Sequence, residues 1–388
     1  MSEAQAPPDF GFGEDEEMLR DLARKFLDER LPVESLRKLV AESPEPVYDR
    51  GQRPAWDAGF WKEIVELGWA GLAVEEADGG ADISMVGIAG LIEEVGRHAL
   101  PSPLIPTLGA ALVLRAAGGG SGRDELGRIA AGMSASLAIT PECGSWEPDA
   151  CGVTATRQDG GYVLNGAAHF VQDAFKAEFF VATARIDGEL LLCALPSDAG
   201  GLSLEQNHIH DLTRDQATLR LSDVRISDAD VVSNRGAEIL RRAWPALLVL
   251  ISADLCGTSE WQLQTTVEYA KNRKQFDHPL GFFQAVKHPL VNAMVEIDRA
   301  RSLLYHAACC IDSQSDEAEQ AAHMAKSAAS DAGAFISDRS IQLHGGIGFT
   351  WECDIHIYFK RSMHNQALLG DGAHQRSKLA DLLIGRIE

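Results

Sequence analysis

The chain has 388 residues, 45% apolar and 24% charged, with 35 Lys+Arg against 57 Asp+Glu and a formal net charge of −22. The apolar fraction excludes a disordered chain, the length allows two or three separate cores, and the charge argues against a nucleic-acid or anionic-membrane surface. The longest apolar run, Trp244 to Ala253, is about half of a bilayer span, and the N-terminus lacks the basic and apolar regions of a signal peptide, so the expected location is the cytoplasm.

The first segment reads as helical. Glu17 to Leu31 places Met18, Leu19, Leu22, Phe26 and Leu27 on one stripe, and Phe60–Leu67 and Val86–Leu100 repeat the pattern. Asp78-Gly79-Gly80 is turn chemistry, and the helix through Leu112 to Arg115 runs into a glycine-rich connection. From about 148 to 232 the period changes to two, with Val153–Arg157, Tyr162–Leu164, Phe179–Arg185, Glu189–Ala194 and Ala217–Leu221 separated by Asp-Gly and Asn-Gly turns. The last 150 residues return to long helices: one before Lys271, one opened by Pro289, one from about Ala318 to Leu343, and one near Arg376 to Ile387. The expected architecture is an α+β multidomain chain. It comprises an N-terminal α-helical domain (1–135), a middle antiparallel β domain (136–233) and a C-terminal four-helix bundle (234–388).

Seven cysteines lie scattered without a CxxC pair, which fits reduced thiols better than disulfides or zinc. Cys309 and Cys310 fall in a helical apolar stripe and read as core packing rather than a redox pair. His208 and His210 have HxH spacing but no third ligand, and read as a loop or strand edge.

Two stretches carry chemistry. In YAKNRKQFDHPLGFFQAVKHP (269–289), Lys271, Arg273 and Lys274 end a helix, where the carbonyl dipole favours cations, and Arg273, Gln275 and Phe276 offer a charge, an amide and a flat apolar face. A solvated helix end and a site for an aromatic phosphate compound are both open on these residues. In QLHGGIGFTWECDIHIYFKR (342–361), Gly345-Gly346-Ile347-Gly348 lacks GxGxxG spacing and follows a helix, so it is no dinucleotide fingerprint. It reads as a helix cap or a close backbone approach to a ligand.

Over its whole length the chain resembles the flavin-dependent acyl-CoA dehydrogenases, most specifically in YAKNRKQFDHPLGFFQ and QLHGGIGFTWE. The resemblance implies FAD as cofactor, with Arg273, Gln275, Phe276 and Gln284 at the flavin and Arg273 at the pyrophosphate of a flavin held mainly by a neighbouring subunit. Gln342, Gly345 and Gly346 would meet its adenosine-diphosphate end. It further implies an acyl-CoA substrate, an electron-transfer flavoprotein as acceptor, and at least a dimer. The family reaction removes an α-proton from the thioester with a carboxylate base while a β-hydride passes to the flavin.

The sequence departs from the family at the base. The Glu expected nine residues beyond the Arg matching Arg361 is Gly370, with Asp371 next to it. The alternative family position, 26 residues before Arg273, is Leu247. The flavin-cradling TEPxxGSD loop appears as Thr140-Pro141-Glu142-Cys143-Gly144-Ser145, and the ring-shielding element as Phe170-Val171-Gln172. Three readings follow. The chain is a subunit of an α2β2 heterotetramer, similar to the heteromeric dehydrogenases of steroid degradation, with a paralogue supplying the Glu. Or it is a self-sufficient homo-oligomer, such as a homodimer, with Asp371 or another carboxylate as base, or a non-catalytic acyl-CoA-binding or assembly subunit. Residues 235–310 hold nine Lys/Arg against seven Asp/Glu, so the acidity lies elsewhere; Arg241, Arg242, Lys271, Arg273 and Lys274 are expected to gather where phosphates bind.

Overall fold

A computed structural model describes residues 10–41, 56–118, 120 and 122–385. Six helices come first: α1 (Glu14–Arg30), α2 (Val33–Val40), α3 (Ala58–Glu66), α4 (Met85–Arg97), α5 (Leu104–Ala117) and α6 (Arg123–Ala130). Asp57 caps α3 and Ser84 caps α4, their side chains accepting from backbone N–H groups of the first turn. The short helices α2 and α6 were not predicted; eight residues carry too few turns for a period to show.

The middle of the chain forms a sheet in the order β6-β7-β3-β2-β4-β5-β8, from β2 (Val153–Gln158), β3 (Gly161–Gln172), β4 (Phe179–Ile186), β5 (Glu189–Pro196), β6 (Leu202–Gln206), β7 (Gln216–Ser227) and β8 (Val231–Ser233). Most pairs are antiparallel, as expected, but β1 (Ala135–Ala138) joins β4 in parallel, as does β2 at Thr154. Alternation sorts the two faces. Phe179, Val181, Leu190 and Leu192 join the large helical core, whereas Phe180, Ala182, Leu191 and Cys193 join a second core on the other face. Register shifts interrupt the β3–β7 ladder at Leu164/Gly166 and Ala168/Val171. At the second, Phe170 takes a left-handed φ of 58°, which turns its side chain out of the alternation.

The remaining helices are α7 (Gly236–Asn272), α8 (Gln284–Asp312), α9 (Ala318–His344), α10 (Ile355–Ala367) and α11 (Gly372–Ile384), with a two-stranded hairpin, β9 (Lys274–Gln275) and β10 (His278–Pro279), between α7 and α8. The expected long helices are present, and α10 adds one that the periodicity did not reveal. Helix α8 begins at Gln284, five residues before Pro289, which lies inside it. Helix α7 is buried continuously from Ala246 to Ser259, so it is the axis around which the other helices pack. Its crossing with α4 is a backbone contact: a Cβ on Gly257 would lie 1.8 Å from the Glu93 carbonyl oxygen. Among the described residues no helix is long and apolar enough to cross a membrane.

Candidate functional site

A pocket opens midway along α7. Leu247, Leu250 and Ile251 of α7 face Ile105, Pro106 and Gly109 of α5, while β1 and the segment after it add Ser136, Leu137, Ile139 and Thr140. Trp146, Phe170 and Gln172 come from the β domain, and Leu368 and Leu369 from the α10–α11 connection. The cavity measures about 70 Å³, well below the roughly 300–1,000 Å³ of sites that enclose drug-sized ligands.

The α10–α11 connection is held rigidly. Lys326, fully buried on α9, donates from Nζ to the carbonyls of Gly370 (2.9 Å) and Gln366 (3.1 Å) and to Ser330 Oγ (2.9 Å). Burial pushes this amine down to about 7. Gln375 Nε2 donates to the Leu369 carbonyl at 2.7 Å, and its Oε1 lies 2.6 Å from His323 Nδ1. Leu369 and Gly370 are both left-handed, at φ 59° and 92°. A Cβ on Gly370 would stand 2.3 Å from the His374 ring, so this backbone admits no side chain where the resemblance expects a base. Asp371 is engaged differently. Exposed at the start of α11, its carboxylate accepts from the His374 N–H at 2.8 Å as the helix N-cap. It is not among the pocket-lining residues.

Beneath the pocket lies a buried charged cluster that sequence reasoning missed. Arg361 donates from Nε (3.0 Å) and Nη2 (2.9 Å) to Asp254 Oδ1, and from Nη1 to Thr213 Oγ1 at 2.7 Å. Arg214 and Asn365 donate to Asp254 Oδ2. Burial alone would raise the Asp254 carboxyl, but the Arg361 and Arg214 guanidiniums outweigh it and hold the group below its ordinary value. Asp173, Lys176, Asp211 and Asp215 continue the cluster into the β domain. At its edge His364 Nε2 lies 2.6 Å from Gln172 Oε1 while Gln172 Nε2 donates to the Phe170 carbonyl (2.9 Å) and to Gln216 (3.0 Å). Burial pushes His364 down to about 4, so near neutral pH its uncharged ring donates to the amide oxygen. Arg361 was legible as a sequence landmark but not as the centre of a network, because its partners lie far along the chain. Lys326 left a local signal, a single cation within the alanine-rich run AAHMAKSAAS.

The remaining predicted residues lie elsewhere. Arg273 ends α7, exposed, with no side-chain partner among the described residues. Gln275 pairs with His278 across the hairpin; Phe276 at its tip has φ 53° and is 85% exposed. Gln284 and Gln342 are exposed, and at Gly345 and Gly346 a Cβ would meet nothing within 4 Å. Tyr269, one turn before Arg273, stacks on His344 at 4.3 Å and reaches its carbonyl at 3.4 Å, which places the two motif stretches side by side. Leu247 and Arg273 are 26 residues apart along α7, about 39 Å at the helical rise. Arg241 and Arg242, expected to gather with Lys271 and Arg273, are instead at the other end of this helix, about 45 Å from Lys271. There they pair with Asp149 and Glu238. The helix carries the two groups apart, whatever their closeness in composition.

His208 and His210 are exposed in the loop after β6, as expected of a loop pair.

Comparison with known proteins decides the family. Residues 13–132 match the acyl-CoA dehydrogenase N-terminal domain and residues 234–384 the acyl-CoA dehydrogenase C-terminal domain. The chain belongs to the acyl-CoA dehydrogenase family. Members are FAD-dependent oxidoreductases, and FAD is the cofactor. The chain is 28% identical to the acyl-CoA dehydrogenase IpdE2 of Mycobacterium tuberculosis, over 92% of this chain and 93% of that protein. Among solved structures, a variant of the Tcur3481-Tcur3483 steroid ACAD superimposes with a TM-score of 0.84 at 29% identity, covering 96% of this chain and 98% of the other. The ChsE4-ChsE5 complex from Mycobacterium tuberculosis shares the fold, with a TM-score of 0.86 at 22% identity over 98% of this chain and all of the matched chain.

Tested against this dehydrogenase chain, FAD fits two regions unequally. Around the end of α7 lie a guanidinium without a side-chain partner among the described residues, an exposed aromatic ring and, just after α9, bare glycine backbone, a donor set suited to an anionic dinucleotide. The pocket offers mostly apolar walls, with Arg214, Gln172, Ser136 and Thr140 also lining it, and about 70 Å³.

Proposed function

We propose that this dehydrogenase-family chain is the subunit of a heteromeric acyl-CoA dehydrogenase that completes its partner's flavin site and lacks a working base of its own. The observation that carries this reading is the left-handed Gly370 backbone, where a Cβ would stand 2.3 Å from the His374 ring in the place of the expected base; roughly 39 Å of helix also separates the pocket at Leu247 from the exposed set at Arg273. One flavin dinucleotide does not span that distance, so the exposed set serves a flavin whose ring sits in another chain. Arg273 would pair with the pyrophosphate, Gln275, Phe276 and Gln284 would lie along the flavin, and Gln342, Gly345 and Gly346 would receive the adenosine end. When bound, FAD supplies the hydride acceptor. A paralogue would contribute the Glu that takes the α-proton, in an α2β2 assembly, and an electron-transfer flavoprotein would take the electrons.

Gly370 and Leu247 support the absence of a base here, and Asp371 is committed to capping α11. The substrate class rests on the relatives: a steroid-type acyl-CoA, in keeping with the name of the steroid ACAD that is 29% identical. The reading is tested by expressing the chain with and without its paralogue and assaying anaerobic flavin bleaching by a steroid acyl-CoA. Bleaching only in the co-expressed complex, abolished by replacing the paralogue's Glu and unaffected by Asp371→Asn, is the expected result. Bleaching by this chain alone, lost in Asp371→Asn, would overturn it.

A further inference from the structure

At the C-terminal end of α8, apart from both the pocket and the exposed set at Arg273, three side chains of metal-ligating chemistry converge. His306 and Cys310 stand four residues apart on one face of α8, and Glu317 is the N-cap residue of α9 across the turn. Among the described residues this is the one place where three such groups meet, with their ligand atoms all within 4.8 Å of one another.

The separations match a metal's needs. The two ring nitrogens of His306 lie 3.9 and 3.8 Å from Cys310 Sγ. A tetrahedral zinc ion, with Zn–S near 2.3 Å and Zn–N near 2.0–2.1 Å, sets sulfur and nitrogen about 3.6 Å apart. The near-equal distances place the sulfur between the two nitrogens, so the partly exposed imidazole turns to aim one lone pair at an ion shared with Cys310. The burial pattern also fits: Cys310 is 5% exposed within the core, His306 is half-buried with Phe10 edge-on at 6.0 Å, and Glu317 is exposed. An ion could enter from the Glu317 side and keep water in a fourth position. The chemistry is a mixed sulfur, nitrogen and oxygen set, which selects a borderline-soft ion over magnesium or calcium.

We propose that His306, Cys310 and Glu317 form a three-ligand site for a zinc-class divalent cation, pinning the turn between α8 and α9. The proposal is independent of the flavin reading.

The test is cobalt(II) titration of the full chain, reduced with a phosphine and carrying Cys143→Ser to remove the exposed thiol. A thiolate-to-cobalt charge-transfer band with tetrahedral ligand-field bands, saturating at one equivalent and displaced by zinc, is expected. Cys310→Ser should remove the band. Glu317→Gln, at an exposed position that leaves the fold intact, should weaken binding by about tenfold or more, since even outer-shell changes cost that much. Absence of the band at one equivalent, its survival in Cys310→Ser, or unchanged cobalt affinity in both Glu317→Gln and His306→Gln would overturn the proposal.

Discussion

The middle of α7 and its C-terminal end are built on opposite principles. The middle is closed: Leu247 and its neighbours leave a pocket of only about 70 Å³, the α10–α11 connection is tied down by Lys326 and Gln375, and a charged cluster is ion-paired beneath it. The end is open: Arg273 has no partner among the described residues, Phe276 is 85% exposed, and two glycines present backbone with nothing above them. Under the proposed function, the difference is that of a family scaffold that has lost the half of a site it would use for itself and kept the half it would offer to a neighbour.

Breaking the closed half should cost the most. Arg361→Met leaves the Asp254 carboxylate buried with fewer partners and should destabilise the chain by about 3–5 kcal/mol, read by chemical denaturation. In the open half, Arg273→Ala removes a charge that supports nothing in its own fold. Urea unfolding should be unchanged within about 0.5 kcal/mol, while the complex loses about 1.5–3 kcal/mol of FAD affinity, roughly ten- to a hundredfold. Asp371→Ala sharpens the comparison further. It should cost about 1 kcal/mol of stability through the lost cap and leave turnover of the complex unchanged.

A last effect is a pH dependence. His364 is held near 4 in the folded chain against an ordinary value of 6.5, so between those values the unfolded state binds more protons. Stability contributed at this position is therefore complete above pH 6.5 and lost as pH falls toward 4. His364→Asn should flatten the stability profile across that window relative to the unsubstituted chain; identical slopes would show that His364 does not contribute.

The order of helices, sheet and helices was legible because period and turn chemistry are local. So were the two motif stretches, whose residues the fold brings together through Tyr269 and His344. The Gly370 and Leu247 departures were legible only against the family pattern. What the sequence hid was pairwise and distant: Asp254 meets Arg361 across more than a hundred residues, and nothing near either one announces the other. The misplacement of Arg241 beside Lys271 has a similar origin, since composition counts charges without measuring the helix between them. The parallel pairing of β1 with β4 was hidden as well, because alternation fixes which face is buried and not which strand lies alongside.

Native mass measurement of the complex with its paralogue, with FAD counted per assembly, tests the division between the two halves most directly. A chain that lends the end of α7 to its partner's flavin but holds none in its own pocket predicts one FAD for every two chains in the α2β2 complex, and little or none in this chain purified alone. One FAD per chain, in the complex or in this chain alone, would contradict it.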